Sequence, residues 1–134
     1  MTITNQEYNN FVASVTSAYS TVYETFSNRL NELDEIGVDV PRLLTASIAI
    51  GSEAGEFADL VKKVIFQNKD YTKEVQDKLQ RELGDICFYL TLACQALGVT
   101  LDEVLQTNYE KLSKRYPNGV FETQYSENRK PTDI

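Results

Sequence analysis

The residues with the clearest chemical potential are two acidic pairs, Glu53 and Glu56 in Glu53-Ala54-Gly55-Glu56, and Glu82 and Asp85 in Glu82-Leu83-Gly84-Asp85. Each pair has a three-residue offset inside a stretch that reads as helix. At roughly 100° per residue this puts both carboxylates on one face, so each helix offers a two-carboxylate claw. The chain contains no histidine, which removes Ser-His-Asp chemistry, the usual zinc hydrolase ligands and the Glu-x-x-His pairs of di-iron bundles. Four oxygen ligands without nitrogen or sulfur suit a hard cation, Mg²⁺ or Mn²⁺. Such an ion keeps positions open for water and substrate phosphates, neutralises phosphate charge and lowers the pKa of an attacking water. The chemistry implied is metal-assisted hydrolysis of a phosphoanhydride.

The elements that must position these groups follow from apolar periodicity. In the first acidic helix, Ile50, Ala54, Phe57, Val61 and Val64 form a stripe bordered by Leu60. Glu53 falls at about −60° from Ile50, inside the core-facing face, and Glu56 at about −120°, on its rim. In the second, Leu79, Leu83, Ile86, Leu90, Ala93 and Leu97 form the stripe, with Tyr89 beside it. Glu82 and Asp85 repeat the same two angles from Leu79. An acidic pair taken alone is ordinarily solvated surface. Two pairs at matching angles on the borders of two apolar stripes are not, because an unpaired carboxylate facing a core is costly unless it protonates or meets a cation.

The whole chain, 134 residues long, matches one domain with a genuine core, and its net charge of −7 argues against nucleic-acid or anionic-membrane binding. Any phosphate it handles should arrive with a cation. No apolar run approaches the about 20 residues that span a bilayer, and the polar N-terminus does not read as a signal peptide, so a cytoplasmic protein is expected. Cys87 and Cys94 lie two turns apart on one helix, too far for a disulfide, and read as reduced core thiols.

Taken in order, Thr4-Asn5-Gln6-Glu7 is a capping box that opens a first helix running to about residue 34. Ser- and Thr-rich residues 14–20 weaken its propensity without breaking the pattern. A second helix spans about Pro41 to Gln67; Gly51 and Gly55 inside it either admit a close neighbour or are simply tolerated. A third spans about Thr72 to Leu97, closed by Gly98. Thr100-Leu101-Asp102-Glu103 is a second capping box, and the fourth helix it opens ends near Arg115, before Pro117-Asn118-Gly119. On that helix Asn108, Lys111 and Arg115 share a face. The basic pair suits a helix C-terminus or a phosphate, whereas Asn108 interrupts the apolar stripe. The expected fold is all-α, a four-helix bundle-like domain over residues 1–119 with a short irregular C-terminal tail over 120–134.

Glu53-x-x-Glu56, then Glu82-Leu-Gly-Asp85, then Asn108-x-x-Lys111-x-x-x-Arg115 resembles the MazG-like nucleotide pyrophosphohydrolases of the all-α NTP pyrophosphatase superfamily, over about residues 41–119. The resemblance implies Glu53, Glu56, Glu82 and Asp85 as metal-binding and catalytic residues, with Mg²⁺, or Mn²⁺, as cofactor. It implies a nucleoside triphosphate substrate cut between the α and β phosphates into monophosphate and pyrophosphate. Lys111, with Asn108 and Arg115, would handle the phosphates. A homo-oligomer, a dimer or dimer of dimers, is also implied, with the first helix helping to line the base pocket. Two readings from other classes stand beside it. One is a non-catalytic helical dimer with a structural divalent cation site; the other is an acidic interaction module with solvated claws.

Overall fold

The structure, a computed structural model, describes residues 2–128. The fold is all-α, as expected: the described residues form helices and no strand. The chain divides into two compact units, Met1–Val40 and Pro41–Ile134.

The first unit corrects the expectation of one continuous helix. It contains α1 (Asn5–Val15), α2 (Ala18–Thr21) and α3 (Tyr23–Glu35). The capping box forms as read: the Glu7 backbone N–H donates to Thr4 Oγ1 at 3.2 Å, and the Thr4 N–H donates to Glu7 Oε2 at 2.8 Å. Donation from the Thr4 N–H, and from the Thr4 hydroxyl at 2.8 Å, holds the Glu7 carboxyl below the ordinary glutamate value. The helix then stops inside the Ser/Thr-rich stretch. Thr16 and Ser17 adopt extended backbone, and the Ser17 hydroxyl accepts from the Tyr19 N–H to cap α2. Ser14, Thr16 and Thr21 each donate to a carbonyl three or four residues earlier. Such local bonds compete with helix geometry, so the hydroxyls break the helix rather than merely weaken it. Val22, also extended, separates α2 from α3.

The second unit carries the acidic residues. α4 (Val40–Phe66) and α5 (Lys73–Leu97) match the two acidic helices within a residue at each end. Thr72 caps α5 by accepting from the Val75 N–H, and Gly98 closes it at φ +66° with its N–H bonded to the Cys94 and Gln95 carbonyls. That left-handed geometry is why glycine stands there. α6 (Leu101–Arg115) opens on the Thr100–Glu103 capping box and turns 93° from α5. The tail, expected to be irregular, holds a short helix, α7 (Thr123–Glu127). Asn118 and Gln124 both donate to the Glu122 carboxylate, and the Tyr116 and Phe121 rings lie 5.9 Å apart. Residues 129–134 of the expected tail lie outside the described residues. No single helix among the described residues is long and apolar enough to cross a membrane.

Burial follows the two stripes only in part, because Ala54, Leu83, Leu90 and Leu97, expected to face the core, are exposed. On α4 the inward face is Leu43, Ala46, Ile50, Glu53, Phe57, Leu60 and Val64; on α5 it is Val75, Leu79, Glu82, Ile86, Tyr89 and Ala93. These are the helical repeats of three and four residues. Only Ala46, Val75 and Cys94 are fully buried among the described residues. Cys87 is exposed, so of the two thiols only Cys94 fits the expected core position. A side chain added at Gly51 or Gly55 would meet nothing within 4 Å, so no close neighbour within this chain accounts for either glycine.

Candidate metal centre

A six-residue connection, 67–72, joins α4 to α5, and three of the four claw residues, Glu53 from α4 with Glu82 and Asp85 from α5, come together. Glu53 occupies the inward repeat of α4 between Ile50 and Phe57, and Glu82 the inward repeat of α5 between Leu79 and Ile86. Both are half-buried, whereas Glu56 and Asp85, one turn away on the rims, are exposed. Inward and rim positions therefore fall as the helical angles require.

Glu53, Glu82 and Asp85 can each offer one carboxylate oxygen, and these oxygens all lie within 4.8 Å of one another. Two Mg–O bonds of about 2.1 Å span about 4.2 Å, so small side-chain rotations would close the three oxygens on one ion. No lysine or arginine among the described residues is paired with any of the three. The Glu53 carboxyl is held above the ordinary glutamate value, first by its partial burial and then by the carboxylates of Glu56, Asp85 and Glu82. A donor set of hard oxygens, concentrated and lacking a protein cation, fits a divalent metal ion.

Glu56 stands outside this triad. It lines a neighbouring groove of about 390 Å³ between α4 and α5, together with Glu82, Asp59, Ser52, Lys63 and Lys78. Asp59 receives both Lys62, at 2.5 Å, and Lys63. Hydrogen bonds from Lys62 and Lys63 hold its carboxyl down at about 2. Lys78 Nζ donates to Glu74 Oε1 at 2.7 Å and likewise keeps the Glu74 carboxyl below its ordinary value. Sequence reading passed over these groove residues. Their signal was spacing, because Lys63 follows Glu56 by two turns and Lys78 precedes Glu82 by one.

The α6 residues are not in the triad or the lining of that groove. Asn108 is exposed; Lys111 and Arg115 are half-buried on successive turns near the end of α6. The last turns of α6 and the segment that follows it line a separate hollow of about 480 Å³ that includes Tyr109, Tyr116 and Phe121.

Compared with known proteins, residues 43–120 match the sequence model of the MazG nucleotide pyrophosphohydrolase domain. The Gene 37 protein of Mycobacterium phage L5 is 40% identical over 78 residues, covering 57% of this chain and 68% of that relative. No solved structure matches. The family match encloses both acidic pairs and α6.

Proposed function

This chain belongs to the MazG nucleotide pyrophosphohydrolase family, and we propose that it is a Mg²⁺-dependent nucleoside triphosphate pyrophosphohydrolase cutting between the α and β phosphates. The observation that carries this reading is the convergence of Glu53, Glu82 and Asp85 from two helices. In the overall reaction, a water oxygen bonds to the α phosphorus, the bond from that phosphorus to the bridging oxygen breaks, and pyrophosphate leaves. One proton from the water passes to solvent or to a carboxylate.

Bound Mg²⁺, or Mn²⁺ in its place, would neutralise phosphate charge and make the water a better nucleophile. Glu53, Glu82 and Asp85 would hold it, with Glu56 completing the set from the rim. Glu53 retains its proton more readily than an ordinary glutamate while the cluster is cation-free, and gives it up when a cation offsets its neighbours. Lys111, Asn108 and Arg115 are assigned to the phosphates in the assembled enzyme. That enzyme is a homo-oligomer, a dimer or dimer of dimers, working in the cytoplasm, and neither nucleic acid nor a membrane is a partner.

The test is a panel of canonical and deoxy nucleoside triphosphates incubated with Mg²⁺ and then with Mn²⁺, the products being resolved. Monophosphate with equimolar pyrophosphate is expected. Metal-dependent stabilisation with no turnover on any member would replace this reading with a structural cation site in a non-catalytic dimer.

A further inference from the structure

We draw no further inference here: the strongest candidate, the hollow of about 480 Å³ that Tyr109, Tyr116 and Phe121 line at the end of α6, is an unpartnered apolar surface, and nothing in the structure shows what covers it.

Discussion

A half-buried carboxyl group surrounded by other carboxylates can lower its energy in two ways, by holding a proton or by meeting a cation. Glu53 is in that position, raised first by partial burial and then by Glu56, Asp85 and Glu82. Its folded value lies above its unfolded one. In the cation-free chain its contribution to stability is therefore complete below the ordinary glutamate value and lost as pH rises through the raised value. A cation opposes that trend, because it binds the deprotonated cluster. Mg²⁺ should therefore raise the melting temperature at pH 7 to 8, and by progressively less as pH falls toward the raised value. Differential scanning fluorimetry across a pH series with millimolar Mg²⁺ reads this directly, and a pH-independent shift would remove Glu53 from the ligand set. Among substitutions, Glu82→Gln should abolish the Mg²⁺-induced shift, since it removes one of three converging oxygens. Glu56→Gln, on the rim, should retain part of the shift while turnover drops by on the order of 10²-fold. Near-wild-type turnover of Glu56→Gln at saturating Mg²⁺ would exclude it as a ligand. The carboxylates were legible in the sequence because their angular positions on two apolar stripes conflicted with being ordinary surface. Lys63 and Lys78 were not, because a lysine four residues from an acidic side chain, as in Asp59–Lys63 and Glu74–Lys78, also describes a common solvated pair.

Helix ends set the accuracy attainable at the next scale. Where a capping side chain and a backbone conformation agree, as at Thr4, Thr72, Thr100 and Gly98, the start of α1 and the boundaries of α5 and α6 could be placed from sequence. Gly98 at φ +66° is the strictest of these, and Gly98→Ala should destabilise the chain by about 1 kcal/mol through left-handed strain, measurable as a lower urea midpoint. The break at Thr16 and Ser17 was missed for the opposite reason. Apolar spacing continues across it, from Phe11 and Val15 to Tyr19 and Val22, while hydroxyl-to-carbonyl bonds and the Ser17 cap on the Tyr19 N–H interrupt the backbone. Periodicity reports which face is apolar and is blind to that competition. Replacing both residues by alanine removes the Ser17 cap and the Thr16 bond, so α1 and α2 should fuse and far-ultraviolet circular dichroism should show added helix. Unchanged ellipticity would place the cause of the break elsewhere. α7 was invisible to periodicity because five residues hold little more than one turn and its surroundings are fixed by Glu122 hydrogen bonds and the Tyr116–Phe121 contact.

For the whole molecule, the decisive quantity is how much apolar surface stays in contact with water. A chain of this length should bury about two thirds of the surface that unfolding exposes. Among the described residues, however, only Ala46, Val75 and Cys94 are fully buried, while Phe66 is 80% exposed and Phe88 63%. In the N-terminal unit Tyr8, Phe11, Tyr19 and Tyr23 are all more than half exposed, and Tyr23 reaches 83%. Aromatic and aliphatic area on this scale is unusual for a monomer, and aromatic residues are favoured at the cores of protein interfaces. A second copy of the chain is the simplest cover, since identical copies are present together and homo-oligomers are the commonest assemblies. Dimerisation is thus expected to contribute to folding itself, which makes both the melting temperature and turnover depend on protein concentration. Phe11→Glu and Tyr19→Glu place a charge on faces with no other expected contact and should raise the dimer dissociation constant by about tenfold or more. Sedimentation velocity over a dilution series, with triphosphate hydrolysis assayed on the same samples, tests both parts. Turnover per chain should fall as the dimer dissociates, and earlier in the two variants than in the unaltered chain. A monomer at full activity throughout would mean that the exposed aromatics serve some purpose other than joining two copies.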